Sequence, residues 1–182
     1  MSVIDDILLF NKNFVESGDY ESYRTSKYPN KKIAILSCMD TRLSLLLPAA
    51  LGVKNGDVKI IKNAGALVSH PYGSVMRSLL VCIYELGIDN ILVIGHYDCG
   101  MQNLCSDKMT EKMIEAGISK EAIEKVKSEI DYGKWLSGFD SVEQSVLDTV
   151  AFIRSHPLIP NSINVTGLIM DPDTGRLDKA EA

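Results

Sequence analysis

The chain has 182 residues, 46% hydrophobic and 24% charged, which suits one folded domain over 1–182 with a sizeable core and excludes a disordered or collagenous protein. Its formal net charge of −5 argues against nucleic acid or an anionic membrane as partner, since gripping phosphates needs clustered Lys and Arg, and leaves a small molecule as the expected substrate. No apolar run approaches the roughly 20 residues that cross a bilayer, and Asp5 and Asp6 stand where a secretory signal would be basic, so the expected location is cytoplasmic.

In chain order, the apolar residues Ile4, Ile7, Leu8 and Phe14 recur at helical spacing between Val3 and Glu16, with Gly18 as the stop. Lys32 to Ser37 is a short β-branched apolar run behind the Pro29-Asn30 turn signal and predicts a buried strand, with Cys38 just past its end. Leu43 to Leu51 predicts a helix that Pro48 limits or kinks and Gly52 ends. The Asn55-Gly56-Asp57 turn leads into a second strand, Val58 to Ile61, and Asn63-Ala64-Gly65-Ala66 then reads as a tight loop.

Pro71 to Leu86 has helical periodicity and stops at Gly87. Asn90 to Gly95 is the clearest buried strand, and His96 and Cys99 follow it directly. Between Met101 and Gly138 the pattern is mixed and charged, with one expected helix from Ser119 to Ile130. Ser141 to Ser155 predicts another helix. Ile163 to Met170 predicts a strand turning at Asp171–Gly175. Strands that alternate with helices and are apolar on both faces indicate an α/β fold with a mostly parallel sheet covered by helices. In such sheets ligands gather beyond the carboxyl ends of the strands, where Cys38 and His96-Cys99 both lie.

The four cysteines, at 38, 82, 99 and 105, are better read as metal ligands or free thiols than as disulfides in a reducing compartment. Zinc favours tetrahedral sites of thiolate and imidazole, and a catalytic site keeps one position for water or substrate. His96-Tyr97-Asp98-Cys99 offers two such ligands a short turn apart, with Cys38 as a third from another strand. On spacing alone, a backbone-bonded strand-end histidine and two small buried cysteines explain these residues equally well. The neighbours tip the balance: Asp40 and Arg42 stand beside Cys38, where a bidentate pair would hold the carboxylate off a metal. The ordinary reading of that pair is a surface ion pair worth about 0–1 kcal/mol. Arg42 follows Cys38 too closely for a Cys-x5-Arg phosphate loop. Cys82 falls on an apolar helix face and reads as core. Cys105 is a weaker alternative ligand or a redox-sensitive thiol. His70 reads as a surface residue, with a proton shuttle as the alternative. His156 reads as a helix end.

Cys38-Met39-Asp40-Thr41-Arg42, Asn63-Ala64-Gly65 and Ile94-Gly95-His96-Tyr97-Asp98-Cys99-Gly100 occur in the order found in β-carbonic anhydrases. The chain resembles the short class that includes archaeal members. The likeness continues through Met76-Arg77-Ser78-Leu79, Gly167–Asp171 and Thr174–Leu177, so it spans most of Lys31 to Leu177. It departs from the pattern at Thr41, where serine is usual, and at Ser69-His70-Pro71, which does not map onto it.

The resemblance implies one zinc ion per chain on Cys38, His96 and Cys99, an Asp40-Arg42 catalytic dyad, and a substrate pocket lined by Asn63, Ala64 and Gly65. It implies a parallel sheet extended by an edge strand. It also implies a homodimer or homotetramer in which the N-terminal helical arm, residues 1–30, packs on a partner subunit. Tyr20, Tyr23 and Tyr28 would suit that contact or a core edge. The implied reaction is the reversible hydration of carbon dioxide to bicarbonate by zinc-bound hydroxide, zinc lowering the pKa of its water from about 15.7 toward 7. The competing readings are a carbonyl sulfide or carbon disulfide hydrolase on the same scaffold, and a non-catalytic protein in which Asp40 closes a structural zinc site.

Overall fold

The computed structural model describes residues 2–181. Helix α1 (Val3–Ser17) starts at a reciprocal cap: the Ser2 hydroxyl accepts the Asp5 N–H, and the Asp5 carboxylate accepts the Ser2 N–H. It ends where Gly18 takes φ 79°, a left-handed turn that glycine adopts without steric cost. None of its residues is buried, although Ile4, Ile7, Leu8 and Phe10 are all apolar. The amphipathic helix therefore finds no core within its own chain.

Strand β1 (Ile33–Cys38) runs one residue further than the apolar run predicts, so Cys38 is its last residue. Helix α2 (Leu43–Ala50) runs through Pro48 and stops at Gly52, whose left-handed φ of 62° lets the Val53 N–H return to the Pro48 carbonyl. Strand β2 (Val58–Asn63) also outruns its predicted end. A short 3-10 turn, Ala64–Ala66, follows. Helix α3 (Ser74–Leu86) begins three residues later than the periodicity suggests. Pro71 and Tyr72 instead lie in a turn closed by the Gly73 N–H on the His70 carbonyl, and the helix stops at Gly87 (φ 67°).

After β3 (Asn90–His96) come α4 (Ser106–Glu115), α5 (Lys120–Glu129) and α6 (Tyr132–Leu136). The sequence predicts only the middle one. Helix α7 (Val142–Ser155), capped by Ser141 accepting the Gln144 N–H, leads to β4 (Asn164–Met170) and the short β5 (Leu177–Lys179). The Asp171–Gly175 turn between them is held by the Asp171 carboxylate, which accepts the Asp173 and Thr174 N–H groups.

The sheet order is β2-β1-β3-β4-β5. The first four strands are parallel and β5 pairs antiparallel with β4. The fold is thus the expected single-domain α/β architecture with an added edge strand. Nearly every residue of β1 and β3 is buried whichever way its side chain points, so both faces of the sheet are covered. From β1 the chain moves outward to β2, then returns across β1 to β3. The connections therefore diverge at the gap between β1 and β3, the place where α/β sheets bind ligands. Cys38 ends one strand bordering that gap and His96 ends the other.

Candidate metal centre

The Cys38 Sγ, Cys99 Sγ and a ring nitrogen of His96 lie within 4.8 Å of one another, all three residues being buried. Tyr97 N–H bonds to the Met170 carbonyl, continuing the β3–β4 ladder past His96. Asp98 then takes φ 53°, a left-handed conformation tolerated best by Gly, Asn and Asp. That turn brings Cys99 back beneath His96. The two sulfurs are 3.8 Å apart, and two thiolates bound at ~2.3 Å to one tetrahedral zinc would be separated by about 3.8 Å.

The His96 ring is oriented by its own loop. Its Nδ1 is 2.8 Å from the Tyr97 carbonyl, which can only accept, so Nδ1 carries the hydrogen and Nε2 presents a lone pair in the neutral ring. That Nε2 is buried and has no hydrogen-bond partner, alone in this among the side-chain nitrogens and oxygens of the described residues. An unpaired buried nitrogen costs stability. One that faces two thiols is explained by a metal ion, whose imidazole ligands characteristically spend the other ring nitrogen on a carbonyl or carboxylate. The donor set therefore fits a soft divalent metal.

The electrostatics favour charge on Cys38. The Cys99 S–H, His96 and the backbone N–H groups of Asp40 and Gly65 outweigh burial and pull the Cys38 thiol down to about 4. Cys99 is pushed up, first by the charge it supports on Cys38 and then by burial. The two behave as a pair sharing one proton. At His96 burial favours the neutral ring, but the Cys38 thiolate, the Tyr97 carbonyl and the Asp40 charge together raise the pKa.

Asp40 is bound on both oxygens. Its Oδ1 accepts the Arg42 backbone N–H at 2.9 Å and Nε at 3.1 Å, and its Oδ2 accepts Nη2 at 2.9 Å. Led by the guanidinium hydrogen bonds, these contacts hold its carboxyl at about 2. The same Oδ2 is 3.8 Å from the free His96 Nε2, so the carboxylate is restrained at the edge of the metal position. Arg42 in turn bonds a second acid that the sequence reading assigned no role: Nη1 reaches Asp98 Oδ2, and Nη2 reaches the Asp98 carbonyl, each at 3.0 Å. The aspartate was visible in His96-x-Asp98-Cys99, but its left-handed backbone was not.

A cavity of about 720 Å³ adjoins the centre. Cys38, Asp40, Arg42 and Cys99 form its polar side, and Ala64, Met101, Leu104 and Met109 form an apolar wall. Asn63 spends its amide within the loop, donating to the Leu67 carbonyl and accepting the Leu67 N–H. Gly65 has φ 82°, and a Cβ there would crowd Leu67 and Phe139 at 3.1 Å. Asn63 and Gly65 thus shape the loop that supports Cys38, while Ala64 reaches the cavity.

The remaining candidates fall outside the cluster. His70 is exposed, and its Nδ1 accepts the Tyr72 N–H. Buried His156 caps the end of α7 with both ring nitrogens engaged, by the Pro71 carbonyl and the Leu158 N–H. Cys82 is buried, and burial pushes its thiol up. Cys105 is half-buried just before α4.

Comparison with known proteins agrees with this geometry. The carbonic anhydrase family model matches residues 33–177. The protein YtiB of Bacillus subtilis (strain 168), provisionally named a carbonic anhydrase, is 58% identical over 98% of this chain and 96% of its own. The carbon disulfide hydrolase of Acidianus sp. (strain A1-3) is 30% identical over 88% of this chain and 83% of its own. Among solved structures, β-carbonic anhydrase isoform I from Trichomonas vaginalis superposes with a TM-score of 0.91 at 38% identity, covering 99% of this chain and 98% of that one. With a buried thiol–imidazole–thiol cluster at the switch point of the matching fold, the chain belongs to the β-carbonic anhydrase family.

Proposed function

We propose that the chain catalyses the zinc-dependent reversible hydration of carbon dioxide to bicarbonate, with Cys38, His96 and Cys99 as ligands to one zinc ion per chain. The observation that carries this is the unpartnered His96 Nε2, buried and facing two sulfurs 3.8 Å apart. Zinc bound there supplies a Lewis acid that brings the pKa of water toward 7.

The protein's own groups do the rest. Cys38 is presented as a thiolate by the Asp40 and Gly65 N–H groups, and His96 is held in the ligating tautomer by Tyr97. Asp40, ionised at any working pH, can only accept a hydrogen bond, which orients the attacking water. Its carboxyl at about 2 is too weak a base to retain a proton, so the proton released passes to solvent. Arg42 keeps Asp40 from closing the fourth position, the reason for setting aside the structural-zinc reading. Ala64, Met101, Leu104 and Met109 give uncharged carbon dioxide a wall that asks for no hydrogen bond, and Asn63 and Gly65 hold the loop beneath it.

A second reading, hydrolysis of carbon disulfide or carbonyl sulfide, draws support from the Acidianus relative and from the methionines of the wall, whose polarisable sulfurs suit a sulfur compound as well as carbon dioxide. We further propose a homodimer or homotetramer in which the arm, residues 1–30, lays α1 on a partner subunit, because Ile4, Ile7, Leu8 and Phe10 are left exposed by their own chain. Four unpaired thiols suit a reducing compartment such as the cytoplasm.

The test is stopped-flow carbon dioxide hydration with zinc assayed on the same preparation, repeated for Cys99→Ala and Asp40→Ala. Zinc-dependent hydration that is lost in Cys99→Ala and reduced in Asp40→Ala supports the proposal. Zinc-loaded protein inactive toward carbon dioxide from about pH 7 to 9 refutes it. Release of hydrogen sulfide from carbon disulfide would then establish the second reading.

A further inference from the structure

The two loops that carry the metal ligands are each tied to a different neighbour. Beyond β1, the Met39 N–H bonds to the Asn63 carbonyl of β2; beyond β3, the Tyr97 N–H bonds to the Met170 carbonyl of β4. Both ties lead away from the gap between β1 and β3. Across it, besides the contact between the Cys38 and Cys99 sulfurs, runs the two-point grip of Arg42 on Asp98, Nη1 to the carboxylate and Nη2 to the backbone carbonyl, each at 3.0 Å.

Asp98 makes both contacts because its backbone is left-handed, φ 53°, which turns its carbonyl and its side chain toward the same guanidinium. An ordinary surface pair would engage side chains alone and leave the arginine free to rotate. Here one guanidinium plane is fixed from two sides, by Asp40 through Nε and Nη2 and by Asp98 through Nη1 and Nη2. Asp40 gains from this, since its Oδ2 lies 3.8 Å from the unpartnered His96 Nε2 and only Arg42 restrains it.

We infer that Asp98 is a positioning residue: it locks Arg42 between the two ligand loops, and through Arg42 it keeps the Asp40 carboxylate from entering the metal's fourth position. The inference rests on the metal site proposed above. Asp98 touches neither the reacting atoms nor the metal cluster, and its side chain is 86% exposed, so its influence is graded. An exposed pair of ordinary strength is worth roughly a fivefold shift in the balance between a restrained and a released Asp40.

The test compares Asp98→Gly with Asp98→Asn. Glycine adopts the left-handed turn without strain, so it removes the carboxylate while preserving the loop. Asparagine also tolerates that turn and keeps an oxygen that can accept from Nη1. Each protein is prepared with zinc for hydration kinetics and with cobalt(II) for visible absorption, which distinguishes carboxylate from water on the metal.

The expected result for Asp98→Gly is one metal ion per chain, an unchanged far-ultraviolet circular dichroism, and a cobalt spectrum moved toward carboxylate ligation. Its kcat should be lower by up to about fivefold at unchanged KM. Asp98→Asn should recover most of both, and in an Asp40→Ala background Asp98→Gly should leave the cobalt spectrum unmoved. Three results would overturn the inference: a wild-type cobalt spectrum in Asp98→Gly, the same spectral shift with Asp40 absent, or loss of metal from Asp98→Gly. If no version of the protein hydrates carbon dioxide, the reaction fails, while the cobalt spectra still decide the role of Asp98.

Discussion

Gly95, the residue before His96, is one of two glycines, with Gly167, at which α7 presses tightly on the sheet. A Cβ added there would lie 2.7 Å from Val146 Cγ2 and 3.1 Å from Val142 Cγ1. Both valines are buried, Val146 at 2% exposure, and a β-branched side chain in a helix has essentially one χ1 rotamer. Neither methyl can swing aside, so α7 itself must lift, and overpacking of this kind costs about 1–3 kcal/mol. Gly95→Ala should therefore destabilise the zinc-loaded protein by about 2 kcal/mol, lowering Tm by roughly 4–8 °C for a chain of this size. Val146→Ala alone should cost about 1.6 kcal/mol, the transfer value of two buried carbons. Because it also removes the clashing atom, the double variant should fall short of the summed costs by at least about 1 kcal/mol. The assay is urea unfolding followed by circular dichroism at fixed protomer concentration. Costs that add to within about 0.5 kcal/mol would refute the proposition that the Val146 methyl limits what fits at Gly95.

Arg42→Ala should retain zinc while kcat falls roughly tenfold to a hundredfold, the worth of the charge-assisted hydrogen bonds that restrain Asp40; metal analysis beside stopped-flow kinetics checks both halves. On the proposed packing of α1 against a partner subunit, removal of residues 2–17 should make the protein sediment as a smaller species than the full chain in sedimentation velocity. The depressed carboxyl of Asp40, about 2 against an ordinary 3.8, makes its contribution to stability present above the ordinary value and lost as pH falls through the lower one. In metal-free protein, the stability gap between wild type and Asp40→Asn should widen as pH falls through the histidine range, because the Asp40 charge raises the His96 pKa. It should then narrow as pH drops through the carboxylate range.

Sequence showed the parts of this fold whose local signal and burial agree. β1 and β3 are apolar runs buried on both faces, and the side chains that end them belong to the buried thiol–imidazole–thiol cluster, so both strands and the cluster could be read directly. The missed elements carry weak local signals. Helix α4 offers only Met109, Met113 and Ile114 as apolar residues and buries none of them; the structure ties it to α6 through the Thr110 and Tyr132 hydroxyls, 2.9 Å apart. The three-residue β5 is too short for an alternating pattern and exists by pairing with β4. At α3 the helical periodicity ran back through Pro71 and Gly73, both of which favour a turn. The amphipathic pattern of α1 announced a helix but not what it packs on, because no buried partner lies in the same chain.

Asp98 went unread for a different reason, which bears on how the site works. Residue type and spacing identify ligands because metal chemistry admits few donor types, whereas a positioning role depends on a backbone angle and on which loop lies across the gap. The topology supplies both. Parallel strands bordering the switch point send their loops apart, each hydrogen-bonded to its outer neighbour, and this leaves an opening in which the Cys38, His96 and Cys99 side chains converge without backbone between them. An opening held only by side chains needs a brace that reaches from one loop to the other, and a guanidinium with its donors fixed in one plane can bond two acids at once. Lysine in place of Arg42 could neutralise Asp40 but could not span both loops in that geometry. The arginine is therefore required by the shape of the gap as much as by the charge of Asp40.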